Sequence, residues 1–521
     1  MANFGIGTLE GHVILGATPA SDGRPAAPGG DAPTLDELFR RAVKARPDAP
    51  ALIDPPDRAS FTDGAPRRLT WAEADRLVSA MANLLRSLAL PPGAIVALQL
   101  PNVVESVLAL MGVLRAGLIA APLPLLWRQA EACAALGRVS ARALLSCRRV
   151  GDVDHAELAM HVAAETFAIR FVGAFGHPIP DGIIPLDEVF DEALPAAPPA
   201  LDRSEEPAGR AAVVTFDVTA DGLLPVARSH RELVAAGEAV AAAAGLAPGA
   251  TLLGALMTTS FAGLGSTVVP WLVAGGTLRL HQPFDAAVLA AQPCDAAVVP
   301  GPLLPRLAEA GLFAAPAPKT ILAVWRAPER LRTGAASVGA ARVVDVPVFG
   351  EVGLMALPRG GDGVPAELPA PIDNASLDLE LARSPSGTLC LRGAMVPAHP
   401  CPPGSPRGPQ FNLTVEPDGF VDSRFPCHVD RATGGLILDG PPIGVLSVGG
   451  YRFAVRDLQD LIAPIDPDGS VAPLPDALAG HRLAGVADDR RAICEKLVEQ
   501  GANPLVAGAF RDKRPGRVSA A

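Results

Sequence analysis

From residue 70 the apolar positions fall on one helical face. Thr70-Trp71-Ala72-Glu73 reads as a capping box, and Leu77, Ala80, Met81, Leu84 and Leu88 then recur at three- and four-residue steps. Pro91-Pro92-Gly93 ends that helix. Residues 95–100 form a continuous apolar run that predicts a buried strand, Pro101-Asn102 breaks it, a helix is expected to about Ala116, and Gly117 precedes a second strand over 118–121. The order is β-α-β. It recurs later: Pro248-Gly249, a strand over 251–257, a glycine-containing helix over 263–273, Ala274-Gly275-Gly276 and a strand over 277–280.

Further strands are predicted over 211–215, 296–299, 320–324 and 342–348. From 354 to 438 short runs between Pro and Gly clusters suggest a small β region, and the stretch from 444 onward reads as a unit of its own. Residues 17–33 are rich in Ala, Gly, Pro and Asp without periodicity, which reads as a flexible lead-in over 1–33.

Composition narrows the class. A chain of 521 residues with 49% hydrophobic and 19% charged residues can bury a large core and divides into several packed units. The charge balance is 44 Lys+Arg against 55 Asp+Glu, a net of −11, so nucleic acid is not an expected partner. Lysine is confined to Lys44, Lys319, Lys496 and Lys513. Seven cysteines without a C-x-x-C spacing imply no disulfide framework. The first thirty residues lack the basic start and apolar run of a secretory signal, which points to a cytoplasmic protein. The apolar stretch 103–126 is broken by Glu105, Gly112, Arg115, Gly117 and Pro122, so no membrane span is expected.

Several segments, in order, resemble the adenylate-forming superfamily that includes the AMP-forming acyl-CoA synthetases: Arg68-Leu69-Thr70-Trp71-Ala72-Glu73, residues 92–122, Ser229-His230-Arg231-Glu232-Leu233, Val299-Pro300-Gly301, Asp418-Gly419-Phe420 and Val448-Gly449-Gly450. The resemblance covers residues 34–461. It implies an α/β fold with a large N-terminal domain over 34–443, made of two related α/β subdomains (34–205 and 206–353) and a small β region (354–443). A hinge then leads to a small, shortened α+β C-terminal domain over 444–521. ATP, Mg and CoA are implied as cofactors only if the family chemistry is retained.

The catalytic motifs depart from that pattern. The family's phosphate loop reads Thr-Ser-Gly-Thr-Thr-Gly-x-Pro-Lys, and here the stretch is Thr215-Phe216-Asp217-Val218-Thr219-Ala220-Asp221-Gly222-Leu223-Leu224-Pro225. The Lys is missing, two carboxylates stand where phosphate charge would come, and Arg228 is the nearby cation. By the resemblance, Thr215, Thr219 and Gly222 would face the nucleotide. The adenine and magnesium motif appears as Phe349-Gly350-Glu351-Val352-Gly353, so Phe349 and Gly350 remain and Glu351 is the candidate Mg ligand, its other reading being a solvated strand end. The ribose-binding Thr-Gly-Asp matches Ser423-Arg424-Phe425, with Asp422 as a replacement carboxylate.

The hinge Gly-Arg-x-x-Asp reads Gly440-Pro441-Pro442-Ile443-Gly444, so its charged residues are absent and two prolines stiffen it. Lys513 is the candidate for the late catalytic lysine, in a segment that also reads as a solvated basic tail. Ser260 stands at the acyl-gate position, with Phe261 and Gly263 beside it, and Gly449-Gly450 matches the glycine pair that pantetheine passes in CoA ligases. Outside the resemblance, His399, Cys401, Cys427 and His428 offer four soft ligands for a tetrahedral zinc ion, at a spacing that matches no common zinc motif.

Two functions are compatible with these residues. One is a diverged ligase-fold protein that no longer adenylates and acts as a binding or partner module for an acyl or CoA-like molecule or for another protein. The other is an active ATP-dependent acyl- or aryl-CoA ligase in which Arg228, Glu351, Asp422 and Lys513 have taken over the chemistry.

Overall fold

A computed structural model describes residues 7–9, 12–14, 32–191, 207–282, 285–313, 317–333, 341–360, 363–368, 379–398, 413 and 415–511. The capping box forms as read. Thr70 Oγ1 accepts from Glu73 N at 3.2 Å, Glu73 Oε2 accepts from Thr70 N at 2.7 Å, and helix Trp71–Ser87 follows. The same device starts helices Leu35–Ala45, at Thr34 and Glu37, and His230–Ala244, at Ser229 and Glu232.

Both β-α-β units are present. Ile95–Leu98 runs parallel to Ile119–Pro122 across helix Val104–Arg115, and Thr251–Gly254 runs parallel to Thr277–Leu280. The strands stop at Leu98 and Gly254, short of the apolar runs, because Leu100 and Leu256 are buried by packing rather than by pairing. The second crossover helix is broken into Phe261–Gly263, a π turn over Leu264–Val268, and Val269–Ala274.

These units seed two sheets. The first has seven strands, in the order Ile184–Pro185, Phe171–Phe175, Ala143–Cys147, Ile95–Leu98, Ile119–Pro122, Ala211–Thr219 and Gly222–Ser229. The second has nine, with Thr320–Trp325 and Arg342–Phe349 beyond Ala296–Pro300 on one side of Thr251–Gly254. On its other side lie Thr277–Leu280, Pro50–Ile53 and Arg68–Thr70. The sheets therefore exchange strands across the boundary expected between residues 205 and 206. Early strands close the edge of the second sheet and the hairpin after residue 210 closes the first, because pairing is decided by which edge is open in space.

Alternation along the strands builds the layers. Val96 and Leu98 of the first sheet, and Leu252 and Leu278 of the second, face one shared core; Ile95 and Ala97, and Leu253 with Ala297, face separate outer clusters. At the centre of the shared layer Trp71 stacks on Trp271 at 5.0 Å and 11°, with Phe39 edge-on to both; all three are fully buried.

A six-stranded antiparallel sheet contains Leu379–Arg383, Thr388–Gly393, Val421–Val429 and Leu436–Leu438. Its remaining strands come from the expected flexible lead-in: Gly7–Leu9 and His12–Ile14 form a hairpin that pairs Val13 with Arg383. The C-terminal unit has its own core, with Leu458, Ile462, Leu497 and Phe510 buried between two hairpins and three helices. Among the described residues no helix is long and apolar enough to cross a membrane.

Removing the central indole tests this packing. Trp271→Ala should cost about 3–5 kcal/mol of unfolding free energy, read from denaturant midpoints. A second test is acid. His155 is 1% exposed, and burial followed by the nearby Arg128 charge holds its imidazole down to about 4, so the folded state favours the neutral ring. Its stabilisation is present above pH 6.5 and is lost as pH falls through 4. His155→Leu should remove roughly 2–3 kcal/mol of the stability change between pH 6.5 and 4, measured by chemical denaturation across that window.

Candidate functional site

Where the resemblance implies a phosphate loop, the chain forms a closed hairpin. Ala211–Thr219 and Gly222–Ser229 pair from Thr215 opposite Val226 to Thr219 opposite Gly222, leaving Ala220-Asp221 as a two-residue turn. Gly222 adopts φ +99°, and the Thr219 hydroxyl accepts from Asp221 N at 3.2 Å and donates to Gly222 O at 3.1 Å. In extended strands successive N–H groups point to opposite edges, so they do not converge on one anion as a glycine-rich nest does.

Asp217 is the polar centre of this hairpin. Its Oδ1 accepts from its neighbour Val218 N at 2.8 Å and from Arg452 Nη1 at 2.7 Å, and its Oδ2 accepts from Glu351 N at 3.0 Å. The side chains of Arg452 and Asp217 are only 9% and 10% exposed. Asp221, the other carboxylate of the stretch, lies exposed in the turn. Gly350 is required at the junction: at φ +61°, a Cβ there would stand 2.2 Å from Asp217 Oδ2 and 3.0 Å from Arg452 Nη1.

Glu351 is buried, not a solvated strand end. One of its oxygens accepts from Phe261 N at 2.9 Å, and Arg228 Nη1 lies 4.0 Å from that same atom. Burial raises the Glu351 carboxyl above its ordinary value, opposed by Arg228 and reinforced by Asp217. Arg228 is buried in turn. Its Nη2 donates to the carbonyls of Glu351 and of Val352, the latter at 3.0 Å, and its guanidinium lies 3.6 Å above the Phe261 ring. Desolvation pushes it down to about 10 against the pull of Glu351, Glu232 and Asp217. Such a desolvated cation–π contact contributes on the order of 2 kcal/mol.

The structure thus brings together Thr215, Arg228, Phe261, Phe349, Gly350 and Glu351, with Thr215 beside the Glu351 carboxylate. Phe349 packs edge-on against Phe425, the residue at the ribose-carboxylate position, and Arg452 lies 4.9 Å over the Phe425 ring. Arg424 adopts a left-handed conformation, at φ +64°. Asp422 does not join this group: its oxygens accept from Thr388 Oγ1 at 3.0 Å and from Arg424 N at 2.7 Å. The strand pleat accounts for that, since Ser423 and Phe425 are buried on one face and Asp422 lies on the other.

Ser260 is buried at the start of the broken helix, and Gly263 is forced by backbone contact, since a Cβ there would stand 1.8 Å from Met257 O. Gly449 and Gly450, at φ +59° and +86°, turn the hairpin Val445–Val448/Tyr451–Ala454, and a Cβ at Gly450 would meet Arg326 Cβ at 2.6 Å. Lys513, His399 and Cys401 lie outside the described residues. Cys427 and His428 are neighbours on a strand and face opposite ways, the thiol into the core and the imidazole 2.6 Å from Asp439 at the surface, which splits the proposed zinc pair. Among the described residues no cluster of three or more His, Cys, Asp or Glu side chains is placed to hold a metal.

Arg452 and Arg326 are the site residues that sequence reasoning missed. Both line the remaining cavity, about 40 Å³, with Trp127, Asp217, Glu351 and Tyr451. Arg452 follows the glycine pair by two positions, but its partner is 235 residues away. Burial raises the Tyr451 hydroxyl to about 12.

The comparisons agree with the fold. Residues 39–213 match the family described as AMP-binding enzyme. Over 178 residues the chain is 32% identical to the salicyl-AMP ligase / salicyl-S-ArCP synthetase of Mycobacterium tuberculosis. That match takes in 33% of this chain and 30% of the relative, so the chain spans about a third of that relative's length. Amide bond synthetase McbA from Marinactinospora thermotolerans superposes with a TM-score of 0.68 at 17% identity, covering 90% of this chain and 94% of that one. Apo MbtA from Mycobacterium smegmatis does so with a TM-score of 0.62 at 21% identity, covering 91% and 89%. Residues 39–213 thus match the AMP-binding enzyme family in sequence, and the chain shares the fold of these synthetases over nine-tenths of its length.

The Asp217–Arg452 pair makes a measurable prediction. Asp217→Ala and Arg452→Ala should each cost about 3–5 kcal/mol, because each leaves a poorly hydrated charge unpaired. The double variant should cost less than the sum, with a coupling of about 0.5–3 kcal/mol in a denaturation double-mutant cycle.

Proposed function

We propose that this chain is a diverged acyl-CoA synthetase-like protein that does not adenylate carboxylic acids and acts as a binding or partner module. The observation that carries the reading is the filled site: about 40 Å³ remains between Asp217, Glu351 and Arg452, against roughly 300–1,000 Å³ for ordinary small-molecule pockets. The groups that would meet ATP are engaged with one another. A triphosphate would face the carboxylates of Asp217 and Glu351, the hairpin lacks a concave set of N–H donors, and Phe425 stands at the ribose-carboxylate position. These residues do not fit Mg-ATP, so no catalytic step is derived through it.

The hinge supports the same reading. Pro441 and Pro442 restrict the backbone, and at Gly444, with φ +75°, a Cβ would stand 2.8 Å from the Ala220 Cβ at the hairpin tip. One observation favours the alternative of an active acyl- or aryl-CoA ligase: the cations Arg326 and Arg452 line the same cavity as Glu351. In that case domain rotation would have to release Arg452 from Asp217 before nucleotide entered.

Calorimetric titration with ATP–Mg²⁺ separates the two, with no binding expected. Carboxylate-dependent ATP–pyrophosphate exchange should stay at the no-enzyme blank with fatty and aromatic acids, salicylate among them because of the relative's named product. Exchange above the blank would establish the ligase reading, and Arg228→Ala and Glu351→Ala should then each lower it by about 10²–10³. Small-angle scattering profiles should be unchanged by ATP, CoA or acids, whereas a ligand-dependent change would point to an alternating enzyme.

A further inference from the structure

A second arginine pair lies away from the filled site, on the outer face of the nine-stranded sheet. Ile53 is the register partner of Arg68 on one side and of Arg279 on the other, so the three residues form one row across adjacent strands. Residues in such a row share a face, and the two arginines stand about 9–10 Å apart at their Cα atoms, two strand spacings. The alternating residues Leu52, Leu278 and Leu280 face the shared core, which turns Arg68 and Arg279 outward. They border a groove of about 340 Å³ that also includes Thr251, Cys294 and Asp295.

Neither guanidinium has a carboxylate partner among the described residues, and the Arg279 Nε is out of contact with solvent and without an acceptor. The one acid in the groove is already engaged, Asp295 accepting from Thr251 N at 2.9 Å and from Lys319 Nζ at 3.0 Å. Burial, and after it the like charge of Arg68, lowers Arg279 from its ordinary value. Arg279 is half-buried and Arg68 exposed, whereas three more deeply buried guanidiniums have carboxylate partners: Arg58 pairs with Asp54 and Glu105, Arg115 with Asp36 and Asp75, and Arg359 with Asp345. Two like charges in one row, a stranded donor and an adjacent groove are what a bound anion would reconcile.

We infer that Arg68 and Arg279 form a binding site for a compact phosphate group, free or carried on a small molecule that fills the groove. A phosphate has acceptor oxygens in several directions, and guanidinium donors on either side of Ile53 would each meet a separate oxygen in charge-assisted hydrogen bonds.

The test uses the full chain and two probes, inorganic phosphate and glycerol 3-phosphate, titrated at constant ionic strength against sodium chloride. The unfolding midpoint should rise saturably with phosphate, as expected for a ligand that binds only the folded state. Arg68→Gln and Arg279→Gln should each weaken that binding by roughly tenfold or more, while the unspecific salting-out increment persists in both. A stronger response to glycerol 3-phosphate would identify a phosphorylated small molecule as the ligand, and an equal one would identify free phosphate. The inference fails if wild type responds to phosphate no more than the variants do. Should Arg279→Gln not fold, the exposed Arg68→Gln decides alone.

Discussion

The arrangement of the domains turns on one carboxylate removed from water. Asp217 accepts hydrogen bonds from its own hairpin at Val218, from the loop after Arg342–Phe349 at Glu351, and from the C-terminal unit at Arg452. A buried carboxylate with no partners would cost several kcal/mol, so each of these segments is held where it can supply a donor. Gly350 is glycine because the pair runs through the space a Cβ would take. The hairpin, the loop after Arg342–Phe349 and the C-terminal unit are therefore fixed together by one buried charge.

The docking of the C-terminal unit rests on further contacts of the same kind. Arg330 donates to Leu478 O at 3.1 Å and to Ala477 O at 3.2 Å, and Gly480 packs against its side chain. Asp457, on helix Val455–Ile462, lies over Gly222 at the hairpin turn. Glycines recur at these approaches because only backbone without a Cβ lets the two units come close. In a ligase that alternates between two domain orientations such contacts would have to be made and broken in each cycle. In the docked state Gly444 lies against Ala220 at the hairpin tip, where a Cβ would stand 2.8 Å from the Ala220 Cβ.

The scaffold around the site is by contrast fully built. Arg58 bridges Asp54 and Glu105 with nearly complete burial, Arg359 and Trp325 Nε1 both bond Asp345, and Asp54 Oδ1 accepts from Val104 N at the start of the first crossover helix. Satisfied buried networks of this sort hold elements in one relative position. These networks order the two sheets around the Asp217 site.

Much of this was legible in the chain because its causes are local. The capping box at Thr70 and Glu73, the helical recurrence after it and the repeated β-α-β order depend on neighbours a few residues apart, and all appear in the structure. The departures from the motifs of the resembled family were expectations read in order along the sequence. Tertiary structure decided what pairing and pleat decide. It sent Pro50–Ile53 into the far sheet, drew Gly7–Leu9 and His12–Ile14 onto the β region, and turned Asp422 away from Phe349. It also joined Asp217 to Arg452 across 235 residues, and aligned Arg68 with Arg279 across Ile53. Local propensity reads along the chain, whereas the energy of a buried charge depends on which distant group shares its cavity, and that is known only once the sheets have closed.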